Sequence, residues 1–300
     1  MMATQRSFVV PCPAKVNLVL SVVGRRSSDG YHLLDMAMEP ISLYDLLHLT
    51  VSPSSSPTVE LQCPALPAVA SADNLVVKTA HRILTLAAER GVPTAYKFHF
   101  YLDKRIPHGA GLGGGSSNAA AVIGLLAEVL SLPLETAELS QLAAGIGADV
   151  PFFMTPTLCR VKGIGDRVLP AGKSRRRWYV LVKPPVLIDT FWAYKKLNYK
   201  LTKKNFNINM RQFFRPAKLV KKYNLFNDFE EIVFSEFPLL AEIKEWLLGR
   251  LAVAGALMSG SGSAVYAVFF DYRSAVAAYR QACEQWEGSD CRIFLAHTVF

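Results

Sequence analysis

The chain has 300 residues, of which 51% are hydrophobic and 19% are charged, a balance typical of a globular protein and unlike a disordered one. No apolar run approaches the roughly 20 residues needed to span a bilayer, and the first residues lack the apolar stretch of a signal peptide, so we expect a cytoplasmic protein. The five cysteines are widely spaced and form no CxxC pair, which argues against a disulfide framework or a structural zinc site.

The net charge of +9 is concentrated in one segment. Residues 173–222 contain 15 Lys and Arg but a single acid, Asp189, so this segment carries +14 and the rest of the chain −5. Such a segment is either a solvated surface or a region that attracts an anionic partner. No RRM, KH, zinc-finger or basic-zipper signature accompanies it, and nucleic acid is therefore not the expected partner.

The N-terminal half shows strand and helix patterns in mixed order. Alternating Val and Leu predict a strand first, and Asp73-Asn74 predict the start of a helix that ends at Gly91. A strictly alternating stretch and two further helical patterns follow. In chain order the predicted elements are a strand over 8–23, a helix over 75–90, a strand over 96–103, a helix over 116–130 and a helix ending near Gly145.

The composition changes after residue 172, where we place a domain boundary that separates residues 1–172 from 173–300. The second part also mixes strands and helices. Its predicted elements are a strand over 179–183, a strand over 253–258, a Gly/Ser turn over 259–263, a strand over 264–270, a helix over 273–286 and a strand over 291–299. Without regular βαβ alternation, this pattern favours an α+β protein of two domains.

A cluster of five glycines in residues 109–115 is the strongest chemical signal in the chain. Glycines tolerate positive φ and let backbone N–H groups converge on an anion, and the helix predicted next presents its positive end to the same place. The cluster therefore predicts a phosphate cradle. Although Gly109, Gly111 and Gly114 match a dinucleotide fingerprint, residues 104–108 separate them from the strand, and a second helical pattern follows where that fold needs a strand. No Walker motif occurs either.

Residues 107–119 resemble the phosphate loop of the GHMP kinases, and GLGGGSSNAAA at 111–121 is similar to the branch whose acceptor is a cytidine diphosphate-linked polyol. Other blocks resemble the family's motifs in the same order across about residues 11–270. They are PAKVNL at 13–18, DGYH at 29–32, DNL at 73–75, GADVPF at 147–152, GIGD at 163–166 and MSGSGS at 258–263.

The resemblance implies a two-domain GHMP kinase fold. The N-terminal domain would be like ribosomal protein S5 domain 2 and the C-terminal domain would be ferredoxin-like, with the substrate between them. It also implies the activity of an ATP- and Mg²⁺-dependent kinase that phosphorylates the 2-hydroxyl of this polyol in the non-mevalonate route to isoprenoids.

By the same resemblance, Asp149 would be the catalytic base, and Lys15 would keep that carboxylate ionised and lower the pKa of the acceptor hydroxyl. Ser117 is the hydroxyl best placed for Mg²⁺, although no convincing acidic ligand accompanies it. The residues implied for ATP are Asn74, Leu75, Lys104, Pro107, Gly109, Gly111, Leu112, Gly113, Gly114, Gly115, Ser116 and Ser117. Those implied for the acceptor are Asn17, Tyr31, His32, Thr190, Phe191, Ser259 and Gly260.

Two alternatives remain open at this point. One is a GHMP kinase for mevalonate, homoserine or a sugar, against which the extended glycine loop and the DGYH block both argue. The other is a nucleotide- or nucleic-acid-binding protein without catalysis, which predicts salt-dependent binding through residues 173–222 and no ATP turnover.

Overall fold

The computed structural model describes residues 5–66, 71–172, 175–197, 208–215 and 222–299. The strands of this part are β1 Arg6–Arg25, β2 His32–Pro53, β3 Thr58–Gln62, β4 Tyr96–Asp103, β5 Leu158–Gly163, β6 Arg167–Gly172, β7 Trp178–Lys183, β8 Phe226–Asn227, β9 Val253–Met258, β10 Val265–Phe269 and β11 Arg292–His297. The helices are α1 Leu75–Glu89, α2 Gly114–Val129, α3 Thr136–Ile146, α4 Val150–Phe153, α5 Thr190–Lys196, α6 Glu230–Glu236, α7 Pro238–Leu248 and α8 Tyr272–Gln285. The α+β expectation is confirmed, and each predicted strand and helix has its counterpart among these elements.

Contacts divide the chain into two compact units. Unit 1 comprises residues 1–14, 44–106 and 113–155, and unit 2 comprises 15–43, 107–112 and 156–300. The long strands β1 and β2 each contribute to both units. The expected boundary after residue 172 stays a prediction, because these units follow packing rather than a single cut in the chain.

Unit 1 combines β3, β4 and parts of β2 and β1, which are neighbours in one sheet, with a helical layer. Strand β4 pairs antiparallel with the second half of β2, and β3 lies parallel to β4 on its other side. The buried Phe98, Phe100 and Leu102 alternate with more accessible neighbours, as the strict alternation of this strand predicts. Helix α2 packs against α1 and α4, and α3 packs against α4.

Helices α1 and α3 of unit 1 begin at recognisable capping residues. The side chain of Asn74 accepts a hydrogen bond from Val76 N at 3.0 Å, which satisfies one of the free N–H groups of α1. Glu135 and Glu138 form a capping box at the start of α3. Helix α2 begins differently, at a glycine that offers no capping side chain.

Unit 2 contains two sets of strands. The first half of β2 pairs antiparallel with β5, β5 pairs with β6, and the short β8 lies parallel to β1. A separate four-stranded antiparallel sheet has the order β11-β7-β10-β9. Helix α7 covers β9 and β10, while α8 covers β7, β10 and β11. None of the helices in the described part of the chain combines the length and apolar character needed to cross a bilayer.

Candidate active site

The glycine loop is held in place within unit 2 by contacts that leave no room for a side chain at position 111. Gly111 has φ +70°, and a Cβ there would lie 2.0 Å from the carbonyl oxygen of Ser259. Ser259 Oγ donates a hydrogen bond to Gly111 O at 2.9 Å, and Lys15 N donates to Leu112 O at 2.9 Å. The loop therefore adopts one conformation that only glycine permits at position 111.

A second glycine turn packs on the first. Gly260 has φ +59°, and a Cβ there would lie 3.2 Å from Gly111 Cα. The Asn227 side chain donates hydrogen bonds to Met258 O and Gly260 O, each at 2.8 Å, and so fixes the conformation of the turn. Ser259 is fully buried, and in this structure it supports the glycine loop. Its predicted contact with the acceptor, like that of Gly260, stays a prediction.

Helix α2 starts directly after the loop, two residues earlier than predicted. Its N-cap, Gly113, has φ +69° and ψ 14°, a left-handed conformation that turns the chain into the helix. Gly114 packs so closely that a Cβ would lie 2.7 Å from Lys104 Nζ and 2.9 Å from Ile106 Cγ2. Leu75, predicted near the nucleotide, lies 3.4 Å from the Cβ position of Gly115. The helix N-terminus and its free N–H groups thus follow immediately on the glycine loop.

Asp45, which the sequence did not reveal as a site residue, holds residues 104–106 in place between β4 and the glycine loop. Its buried carboxylate accepts hydrogen bonds from Lys104 Nζ at 2.6 Å, Arg105 N and Ile106 N at 2.8 Å each, and Asn118 Nδ2 at 3.0 Å. Because the Lys104 ammonium pairs with Asp45 and packs on Gly114, it joins the end of β4 to the start of α2. A lone acid inside the apolar run from 41 to 51 is the signal that could have revealed it.

Lys15 and Asn17 form a buried polar pair on β1. Lys15 is 3% exposed and Asn17 1% exposed, and Lys15 Nζ donates to Asn17 Oδ1 at 2.6 Å. The Asn17 amide donates to Met36 Sδ at 3.4 Å, and its backbone carbonyl accepts from the Tyr266 hydroxyl at 2.7 Å. A buried ammonium needs such hydrogen-bonding partners. Lys15 is therefore not exposed, as a lysine on a strand would be expected to be if the sequence around it were ignored.

Asp149 lies immediately before α4, whose four residues are all buried. Its side chain makes no capping hydrogen bond to that helix. Two residues earlier, a Cβ on Gly147 would lie 4.0 Å from Ser116 Oγ, so the segment borders the first turn of α2 within unit 1.

The residues predicted for the acceptor in unit 2 gather in part around α5. Thr190 is the first residue of this helix, and its hydroxyl lies 2.9 Å from Ser261 Oγ. Tyr194, one turn further on, stacks on His32 at 5.1 Å between ring centroids. Phe191 is 75% exposed and Tyr31 is 60% exposed, so both present ring surface to solvent. No described contact joins Tyr31 to α5.

The described residues contain no cluster of three His, Cys, Asp or Glu side chains that could hold a metal ion. Ser117, predicted as a possible Mg²⁺ ligand, is only 2% exposed, whereas Ser116 beside it is half-buried. Mg²⁺ commonly binds to one or two carboxylates together with substrate phosphates rather than to a complete protein cage. The backbone N–H groups at the start of α2 fit the phosphates that would carry the ion in that mode of binding.

The comparisons with known proteins agree with this geometry. Residues 74–156 match the family model "GHMP kinases N terminal domain", and residues 207–288 match "GHMP kinases C terminal". The 4-diphosphocytidyl-2-C-methyl-D-erythritol kinase of Syntrophotalea carbinolica is 39% identical over 89% of this chain and 91% of its own length. That of Pelobacter propionicus is 36% identical over 98% of this chain and 100% of its own length.

A solved structure of 4-(cytidine 5'-diphospho)-2C-methyl-D-erythritol kinase superposes with a TM-score of 0.80 at 30% identity. It covers 98% of this chain and 100% of its own, and it confirms the expected GHMP kinase fold. Likeness at this level of identity over nearly the full length of the relatives shows the family. The chain therefore belongs to the GHMP kinases, and within them to the 4-diphosphocytidyl-2-C-methyl-D-erythritol kinase family.

Proposed function

We propose that this chain transfers the γ-phosphoryl group of ATP to the 2-hydroxyl of 4-diphosphocytidyl-2-C-methyl-D-erythritol, a step of non-mevalonate isoprenoid synthesis. The observation that carries the proposal is the glycine loop, locked by Ser259 and Lys15 and leading directly into the N-terminus of α2. A preorganised set of backbone N–H groups beside a helix terminus suits a triphosphate. Since ATP is abundant in the cytoplasm, we expect the protein to act there.

The loop would position the triphosphate before reaction. Phosphoryl transfer depends mainly on alignment and on stabilising charge at the γ-phosphate, and the loop backbone and α2 supply both. When bound with ATP, Mg²⁺ neutralises phosphate charge. Leu75 at the start of α1 lies beside Gly115 and would contact the nucleotide. The Asp45–Lys104 pair would hold the start of α2 in place against the end of β4.

Asp149 is our candidate for the base that accepts the proton of the acceptor hydroxyl. Lys15 is the candidate cation that keeps this carboxylate ionised and favours the alkoxide as it forms. Within unit 2, Lys15 N donates a hydrogen bond to Leu112 O of the glycine loop, and within unit 1 the segment before Asp149 borders Ser116.

The cytidine of the acceptor would contact His32, Thr190 and Phe191. His32 and Tyr194 stack on each other, which ties the DGYH block to α5. Exposed rings such as Phe191 and Tyr31 can cover a pyrimidine face, and the imidazole can hydrogen-bond its edge. Asn17 would contact the polyol beside Lys15.

A panel of acceptors tests the proposal. Purified protein is incubated with ATP, Mg²⁺ and either the cytidyl polyol, mevalonate or homoserine, and ADP release is measured. We expect turnover with the cytidyl polyol alone. Transfer to mevalonate or homoserine without transfer to the cytidyl compound would replace the proposed substrate, and no ADP release with any acceptor would refute kinase activity.

Replacement of Asp149 tests its role. Asp149→Asn keeps the shape of the side chain but removes the base, so kcat should fall by roughly 100-fold or more with little change in KM for ATP. Lys15→Met should also lower kcat, because it removes the ammonium while keeping much of the apolar stem. Asp290→Asn, at an exposed position far along the chain, is the matched control and should leave kcat unchanged. Near-normal turnover of Asp149→Asn would exclude this residue as the base.

A further inference from the structure

A cavity of about 350 Å³ in unit 2 has no role in the proposed reaction. Its lining consists of Arg175, Arg176, Arg215, Tyr223 and Phe270. We propose that this cavity binds a small organic phosphate, with the arginines holding the phosphate and the aromatic rings facing the organic part. The cavity volume lies at the lower end of the range common for small-molecule sites.

Hydrogen bonding brings two of the arginines together. Arg175 Nε donates to Phe214 O at 3.1 Å, which holds Arg175 beside the peptide that leads to Arg215. Arginine stays protonated at any ordinary pH, so Arg175, Arg176 and Arg215 place three positive charges around one cavity. None of the described residues that line it carries a carboxylate. Because like charges repel, such a convergence favours an anion in their midst.

The buried acid that is linked to the cavity through Arg177 and Tyr223 already has a cationic partner. Arg177, which follows the two cavity arginines in the chain, is fully buried, and its guanidinium pairs with the equally buried Glu39. Arg177 Nη1 also donates to the Tyr223 hydroxyl at 3.2 Å and to Phe213 O at 2.8 Å. Glu39 therefore has its counter-charge in Arg177, behind the Tyr223 ring, and does not cancel the charge of the cavity arginines.

The aromatic side of the cavity is fixed in position. The Tyr223 ring packs at 5.2 Å from Phe270 and at 5.4 Å from Phe213, measured between ring centroids. Since the Tyr223 hydroxyl is bonded to Arg177, the ring offers the cavity apolar surface rather than a hydrogen-bonding group. Arginine donors for phosphate beside aromatic surface suit a phosphate ester with a ring better than inorganic phosphate.

Binding of 1-naphthyl phosphate to the full chain, measured by calorimetry with and without saturating ATP, tests the proposal. We expect binding in both conditions, and weaker binding of inorganic phosphate. The double variant Arg175→Gln/Arg215→Gln should bind 1-naphthyl phosphate roughly tenfold or more weakly, because it loses charge-assisted hydrogen bonds. Arg280→Gln, on the exposed face of α8, removes one positive charge elsewhere and should bind like the wild type. The single variant Arg215→Gln serves if the double variant fails to fold.

Equal affinity of the wild type and the double variant would overturn the proposal, as would an equal loss in Arg280→Gln. Loss of binding on adding ATP, with the double variant binding the probe like the wild type, would assign the probe to the glycine loop instead. An RNA oligonucleotide that displaces the probe, with an affinity that falls steeply with salt, would make the arginines a nucleic-acid surface and also refute a small-molecule site. ADP release by the double variant, measured with the acceptor, keeps this test separate from the proposed kinase activity.

Discussion

The His32 imidazole has a pKa below its ordinary value of 6.5 because burial disfavours the charged ring and Arg25 adds a repelling charge. At neutral pH the ring is therefore uncharged, with one donor and one acceptor nitrogen, as hydrogen bonding to the edge of a base requires. Its ring also stacks on Tyr194. At the residue scale, the sequence alone indicates His32 only through the family resemblance. A Tyr-His pair in a sequence shows neither that the ring is partly buried nor that Arg25 lies near it.

This shift makes the stability of the protein depend on pH. The folded state binds the His32 proton less tightly than the unfolded state, so the free energy of unfolding should fall as pH drops below 6.5, until the folded pKa is passed. His32→Gln should remove that part of the dependence, measured by urea denaturation at a series of pH values. His81→Gln, at an exposed position of α1, is the control. Identical pH profiles of His32→Gln and the wild type would contradict the expectation.

At the scale of elements, glycine is required at one position of the loop but can be replaced at one position of the helix that follows. Gly111 is required by a left-handed backbone and by a neighbouring carbonyl, whereas Gly124 lies in the exposed middle of α2 with no atom within 4 Å of its Cβ position. The pattern of glycines predicted a phosphate cradle but did not separate these two cases. The contact of Gly111 with Ser259, 148 residues away in the chain, decides which glycine cannot be replaced.

The two glycines form a matched pair of substitutions. Gly111→Ala should weaken ATP binding and lower stability by more than about 1 kcal/mol, because it combines a strained φ with a steric clash. Gly124→Ala should instead raise stability by up to about 1 kcal/mol, through its higher helix propensity. Thermal unfolding and ATP titration of both variants measure these effects. A Gly111→Ala protein as stable as the wild type would show that the loop can rearrange.

At the scale of the whole molecule, the basic segment is not uniform. Within residues 173–222, Arg177 and Lys183 are buried, so reading the segment as solvated surface is wrong for these two. Lys183 Nζ donates to Pro184 O at 2.6 Å and to Val186 O at 2.9 Å. Arg177 binds Glu39, to which Tyr179 and Thr298 also donate hydrogen bonds. This network joins β2, β7 and the residue after β11 inside unit 2.

Removing only the cation of that network should lower the free energy of unfolding. Arg177→Met leaves the Glu39 carboxylate buried without its cation, and we expect a loss of about 3–5 kcal/mol in the free energy of unfolding. Arg177→Met/Glu39→Leu removes both charges and should recover much of that loss. Chemical denaturation of the two variants and the wild type measures the difference. If the double variant were no more stable than the single one, the ion pair itself would not be the cause.

The local pattern of the chain was enough to predict most strands and helices, the phosphate cradle and the resemblance that led to Lys15 and Asp149. These features depend on short-range periodicity, capping residues and glycine spacing. The positions of Asp45, Ser259, Asn227 and Glu39 depend on partners distant in the chain, and only tertiary packing decided them. Buried polar groups need hydrogen-bonding partners, and nothing in the sequence near a buried acid specifies which distant donors will surround it. The same holds for the cavity, where only the fold brings Arg215 to the adjacent Arg175 and Arg176.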